Sequence, residues 1–213
     1  MTLDFDPNDD LSTVVNGWQP VVLTARDGTT LNVARALRRA VQTAEAAASG
    51  GDVLQSDAVW HLSAALVSAR PELGATITDA GGEVWTILNV ELATLGARWR
   101  CRTRNLVIAH RLDMRIAIEQ CQFAKGPHGA AIPDWTLWRA NLAARLQPLK
   151  LTPEVVDGAR LANATHVVYL ADDLPLDARH RVRDADGAVY AIERLERAEQ
   201  LGDLMRLFVR RTA

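Results

Sequence analysis

Cysteine is scarce in this chain: Cys101 and Cys121 are the only two in 213 residues. Two cysteines cannot frame a disulfide-stapled fold, and they predict a reducing compartment. No Cys-x-x-Cys and no closely spaced histidine pair occurs, so neither a metal site nor a cofactor is expected. Long apolar runs are missing too, which excludes a membrane-spanning helix and points away from a membrane partner. The stretch Met1 to Asp10 is acidic and lacks the basic n-region of a secretory signal. Charge of one sign does not dominate. With 24 Lys and Arg against 26 Asp and Glu, the formal net charge is -2, and bulk electrostatics favour neither nucleic acid nor a membrane surface. The five histidines, His61, His110, His128, His166 and His180, are scattered, and no Gly-x-Ser-x-Gly or phosphate-cradling glycine loop accompanies them. Enzymatic chemistry is left without a motif. It would have to be assembled from residues far apart in sequence, such as His61 or His166.

What is present is said twice. The segment from Ile77 to Ile87, ITDAGGEVWTI, returns from Val182 to Ile192 as VRDADGAVYAI. Beyond the turn Val90-Glu91-Leu92-Ala93 answers Leu195-Glu196-Arg197-Ala198, and Leu95-Gly96 answers Leu201-Gly202 after a one-residue slip. Arg100 then matches Arg206, and Arg104 matches Arg210. A duplication offset by about half the chain predicts two modules of roughly 100 residues each. The expected boundaries are an acidic arm over 1–16, flexible when alone, a first module over 17–109 and a second over 110–213.

Local patterns fill the modules with strands. Val21 and Leu23 alternate before Arg26-Asp27-Gly28-Thr29, and Leu31 and Val33 alternate after it, which predicts a hairpin from Trp18 to Val33. Ala34 to Ser49 fits either a short helix ended by Ser49-Gly50-Gly51 or a continuing strand. Strands are expected between Val53 and Val67, up to Thr78, over Val84–Glu91 and over Arg98–Ile108. A turn at Thr94–Gly96 joins the last two. The second module reads as a strand from Met114, a loop at Lys125–Gly129 and a long strand from Trp135 to Leu146. Thr152-Pro153-Glu154 opens a helix to about Leu161, with threonine as N-cap and proline at the first helical position. Strands follow over Thr165–Leu170, His180–Asp184, Val189–Arg194 and Leu204–Arg210. So many short half-apolar strands in so small a domain must hide their edges. The expected fold is mainly β: two tandem small β-barrels, each with about one short helix.

Three features invite a chemical reading. Asp184-Ala185-Asp186-Gly187 hints at a calcium loop but lacks the further ligands at EF-hand spacing, and its first copy, Asp79-Ala80-Gly81-Gly82, has lost the second carboxylate. A turn predicts both versions. Arg98, Arg100, Arg102 and Arg104 alternate with Trp99, Cys101 and Thr103, so a strand places all four guanidinium groups on one face. That stripe is either a solvated sheet face or a surface for phosphates or an acidic partner, since four neighbouring like charges repel unless something answers them. Trp60, Trp85, Trp99, Trp135 and Trp138 are interleaved with leucine and valine and read as core. Aromatics on strands that stacked bases would instead make a tandem-barrel module binding single-stranded nucleic acid.

The second module carries a resemblance. Trp135-Thr136-Leu137-Trp138 leads into Ala143-Ala144-Arg145-Leu146-Gln147-Pro148 and then the short helix with Glu154. After it come Ala164 to Tyr169, Arg181-Val182, Val189 to Leu195 and Leu204-Met205-Arg206-Leu207. In order and spacing, residues 114–211 resemble the head–tail joining proteins of tailed bacteriophages, the head-closure or stopper proteins of the neck. The first module resembles them more loosely through Val59 to Leu62, Pro71 to Ile77 and Val84 to Ile87, and departs by the 34–49 insertion. The resemblance implies small barrels that form rings between the portal, or its adaptor, and the tail terminator or tube. It implies a structural protein without an active site that keeps packaged DNA from leaking and resides in the virion after assembly in the bacterial host cytoplasm. Six or twelve copies are expected. In a sixfold ring, two barrels per copy would give pseudo-twelvefold symmetry. The arginine stripe would then face a neighbouring subunit or the DNA in the lumen, without sequence specificity.

Overall fold

A computed structural model of the chain describes residues 16–93, 96–125, 131–149 and 164–212. The acidic arm, most of the Lys125–Gly129 loop and the helix expected from Thr152 lie outside the described residues. The chain divides into two compact units, Met1–Ala109 and His110–Ala213.

The first unit holds β1 (Trp18–Thr24), β2 (Thr30–Ala40), helix α1 (Thr43–Ala48), β3 (Ala58–Ser63), β4 (Thr76–Thr78), β5 (Val84–Ala93), β6 (Arg98–Arg104) and helix α2 (Leu106–Ala109). The second holds β7 (Met114–Lys125), β8 (Ala131–Pro148), β9 (His166–Leu170), β10 (His180–Asp184), β11 (Val189–Glu196) and β12 (Met205–Thr212). Each set of six strands closes into an antiparallel barrel. The first runs β1-β2-β3-β6-β5-β4 and back to β1; the second runs β7-β8-β9-β12-β11-β10 and back to β7. Strand for strand, these are the same order. Closure gives every strand a neighbour on each side over part of its length and so hides most of the sheet edge, which is how so short a set of strands remains stable.

The duplication extends to register. Ile77 faces Trp85 as Val182 faces Tyr190. The pairing of β5 with β6 slips between Ile87 and Asn89, and that of β11 with β12 slips between Ile192 and Arg194. A β-bulge therefore sits at the same place in both copies, where it bends the strand and helps the sheet curl round.

Alternation puts the apolar set inside. Trp60, Leu62, Ile77 and Ile87 are fully buried in the first barrel, and Ile118, Leu170, Met205 and Leu207 in the second. The two readings of 34–49 prove to be consecutive: β2 runs to Ala40 and α1 begins at Thr43. Arg39 pairs with Glu45 at 2.9 Å across that junction, and the Gln42 amide donates to the same carboxylate at 3.0 Å. The strand expected over Arg98–Ile108 stops at Arg104, because Asn105 is buried and caps the short turn of α2 through Oδ1 to the Ile108 amide.

Candidate functional site: the arginine strand and the repeated turn

Strand β6 presents its four arginines opposite the side that faces the core. Cys101 and Thr103 are fully buried and Trp99 packs against the core cluster. The outward side chains are not a free basic surface, however. Arg104 forms a two-pronged pair with Asp57, Nε to Oδ1 at 2.7 Å and a terminal nitrogen to Oδ2 at 2.9 Å. The Asp57 carboxylate has no exposure. That hydrogen bond, together with the aspartate charge, raises the Arg104 pKa against the opposing effect of burial. Arg100 reaches Glu91 on β5 at 3.4 Å. Arg98 is buried beneath the ring of Trp18, 5.5 Å from its centroid, and burial lowers its pKa. Arg102 keeps a buried Nε with no hydrogen-bond partner among the described residues and lines a hollow of about 130 Å³ with Arg100, Glu45 and Glu91. The mutual repulsion is thus met from within the same barrel, by Asp57 and Glu91.

Part of this arrangement is duplicated. Arg206 on β12 approaches Glu196 on β11 at 3.5 Å, in the places of Arg100 and Glu91. Arg210 pairs with Glu193 at 2.8 Å on the surface, whereas its counterpart Arg104 uses a buried aspartate. A pair kept in both copies belongs first to the wall that both share.

The Asp-Ala-x-Gly segments are hairpin turns of one kind. The Asp79 amide donates to the Glu83 carbonyl at 3.0 Å and the Gly82 amide to the Asp79 carbonyl at 2.9 Å; the Asp184, Ala188 and Gly187 groups do the same at 3.0 and 3.2 Å. Gly82 and Gly187 sit at φ 82 and 85, as a three-residue hairpin loop with a left-handed last residue requires. Each carboxylate serves its own turn. Asp184 accepts from the Ala188 amide at 2.8 Å and from the Tyr190 hydroxyl at 3.0 Å. Asp79 accepts from the Gly81 and Glu83 amides at 3.0 Å, from Trp85 Nε1 at 3.2 Å and from Arg38 at 3.2 Å. Both aspartates are consumed by protein donors, which is the structural reading of the turn. The aromatic partner lies six residues on in both copies, a signal present in the sequence and not used there.

Among the described residues no group of three or more His, Cys, Asp or Glu side chains is placed to hold a metal ion. His61 lies on β3 opposite Arg100, and burial first, then Arg100, Arg98 and Arg39, lowers its pKa. His166 belongs to the other unit, 2.9 Å from the Thr165 hydroxyl and 5.5 Å from the Tyr190 ring. His110 is bonded to the Gly202 carbonyl at 3.0 Å; His128 lies outside the described residues. His180 is buried against Trp138, with Nδ1 2.7 Å from Asp177, whose carboxyl is held down to about 2, first by the hydrogen bond from the Arg179 side chain. The hydrogen bonds of His110, His166 and His180 run to a carbonyl, a threonine hydroxyl and Asp177, and none of the three joins a serine or cysteine nucleophile among the described residues.

Two placements differ from expectation. Trp135 is not core: it lies half-buried on the outside of the second barrel under the Arg181 guanidinium, 4.1 Å from the ring centroid. Trp138 and Trp99 only line their cores, while Trp60 and Trp85 are enclosed and meet edge to face at 6.4 Å. The second barrel also buries a charge that the sequence did not announce. Glu119 is 7% exposed and holds Arg181 at 2.7 Å and Arg183 at 3.0 Å. No protein-family model and no curated protein matches this chain.

Proposed function

We propose that this chain is a structural protein of the neck of a tailed bacteriophage, a head-closure component that forms a ring between portal or adaptor and tail and retains packaged DNA. The observation that carries the reading is the fit between the resembling segments and one closed wall. Residues 135–148 lie on β8, 166–169 on β9, 181–182 on β10, 189–195 on β11 and 205–207 on β12. The segments that resemble a small barrel are thus successive staves of one.

The chemistry is consistent with a protein that works by contact. Three of the four candidate cations of β6, Arg98, Arg100 and Arg104, are engaged by Trp18, Glu91 and Asp57, and the aspartates of the turns by their own hairpins. Six or twelve copies would meet through outer barrel surfaces, with DNA passing through the lumen without sequence readout. In this reading the arginine strand acts chiefly as wall structure. Binding of single strands by aromatic stacking needs exposed rings beside free cations; the enclosed Trp60 and Trp85 and the paired arginines give it less to work with.

The test is to mix the purified full chain with portal assemblies and image the product by electron microscopy. A ring of six or twelve copies seated on the portal is the expected result. No ring and no co-sedimentation with portal, adaptor or tail terminator would overturn the assignment, and salt-dependent retention of single-stranded DNA by the isolated protein would replace it with the nucleic-acid-binding reading.

A further inference from the structure

The two barrels part company at one hairpin. In the first, β1 pairs with β4 through Thr24 and the chain then turns at once into β2, which begins at Thr30. In the second, β10 accompanies β7 only as far as Gln120, but β7 and β8 remain paired out to Lys125 and Ala131. On its far side β8 meets β9 only from Ala144 to Pro148. A two-stranded ribbon therefore extends past the barrel, and the second edge of β8 from Ala131 to Ala143 pairs with no strand among the described residues.

Directly opposed residues of an antiparallel pair share a face. Glu119 with Leu137, Cys121 with Trp135 and Phe123 with Pro133 thus lie on the outer side of the ribbon. Phe123 is 69% exposed and Leu137 58%. A free edge beside an exposed apolar face is a template for adding a strand, and an isolated two-stranded ribbon gains stability when one is added.

The strand that fits best is β8 itself. An antiparallel pairing centred on Thr136 sets that residue opposite its own copy and Trp135 opposite Leu137 of the other chain, both on the outer face. Register slips by one at Trp138, between the pairs of Ile118 and Glu119. Past that bulge Asp134 comes opposite Arg139, both on the other face. Hydroxyl against hydroxyl, aromatic against aliphatic and acid against base are favourable cross-strand pairs, and the two-fold axis makes the last two occur twice. Shifting the centre to Asp134 would oppose two like charges. Pro133, which has no N–H to give, and Asn141, at φ 59, bound the usable segment.

We propose that two copies of this chain associate edge to edge through β8, in an antiparallel two-fold contact centred on Thr136 that joins their ribbons into a four-stranded sheet. A two-fold contact closes with two copies, so it describes the free chain and stands apart from the ring. It covers the edge that would otherwise recruit strands at random.

The test uses the purified full chain without portal, so its outcome is independent of the neck assignment. Sedimentation equilibrium should give a dimer for the natural chain and at least tenfold weaker association for Leu137→Gln, which removes the exposed apolar side chain without setting a second carboxylate opposite Glu119. Under mild oxidation Thr136→Cys should cross-link into a covalent dimer, while Asn32→Cys on the exposed part of β2 does not. Asp134→Arg should weaken the dimer, and adding Arg139→Asp should restore it. A natural chain that stays monomeric at every concentration, equal cross-linking at positions 136 and 32, or no rescue by the double reversal would overturn the proposal.

Discussion

In the first barrel a tryptophan faces a cysteine across neighbouring strands, Trp60 opposite Cys101; at the same two places the second barrel sets Val168 opposite Leu207. All four are fully buried. A very large residue beside a small one has been exchanged for two of middle size, so the pair of positions has kept its summed volume better than either identity. Trp85 and Tyr190 repeat the lesson with a second constraint, since both fill the core and both hand a hydrogen to an aspartate. Cores tolerate such swaps when volume and polar pairing are preserved together. What the copies share is therefore a wall, a bulge and a turn, while the filling is negotiable.

The comparison breaks most sharply at the two matched arginines. Asp57→Asn leaves the Arg104 guanidinium, 16% exposed, without its counter-charge. We expect a loss of about 3–5 kcal/mol, because a desolvated charge is left uncompensated. Glu193→Gln removes the partner of Arg210, where the two side chains are 30% and 46% exposed, and should change stability by less than about 1 kcal/mol. Urea denaturation of both variants checks the contrast, and equal losses would mean that the two pairs are energetically alike.

The turns come next. Asp79→Ala strips partners from two amides, an indole N–H and a guanidinium, whereas Asp184→Ala strips them from one amide and one hydroxyl. The expected costs are about 3 kcal/mol and about 1–2 kcal/mol, given that hydrogen bonds to a charged acceptor are the stronger kind. Hydrogen exchange at the Glu83 and Ala188 amides reports each turn separately.

The smallest effect at neutral pH is at Cys101. Burial pushes its thiol up to about 12, against an ordinary value of 9.0. The unfolded chain gives up that proton first, so the contribution of the buried thiol is complete below pH 9 and is lost as pH rises toward 12. Cys101→Val should leave stability at pH 7 within about 1.5 kcal/mol while flattening the alkaline decline of the first barrel. Leu207, in the same position of the second barrel, has no proton to lose. An unchanged alkaline profile in the variant would remove the thiol from the account.

Much of the wall was legible because strands announce themselves by period. Alternation located β6, β7 and β11, and Asp-Gly or Gly-Gly marked the hairpins. The repeat located equivalent strands before either barrel was seen. Contacts across long sequence separation were not legible. Nothing near Arg104 points to Asp57, 47 residues away, and nothing near Glu119 points to Arg181, 62 away. The stripe was correctly placed on one face, but its partners come from other strands and loops, so its charge looked freer than it is. Trp135 misled for a related reason: the alternation of β8 is shifted by bulges against β7, and a tryptophan two residues before Leu137 and three before Trp138 landed outside. Exposure of the ribbon likewise depends on where β9 and β10 stop, which no local pattern in β7 or β8 records.

The repeated turn also bears on the order of events when the chain folds. Its backbone bonds, its carboxylate and its aromatic partner all lie within six residues, so each copy closes a very short loop and loses little chain entropy. Joining β1 to β4, or β7 to β10, spans far more chain and must come at greater entropic cost. The two hairpins are therefore natural early structures, one in each half, around which the remaining staves are laid. Duplication of this chain copied a shape and, with it, a starting point.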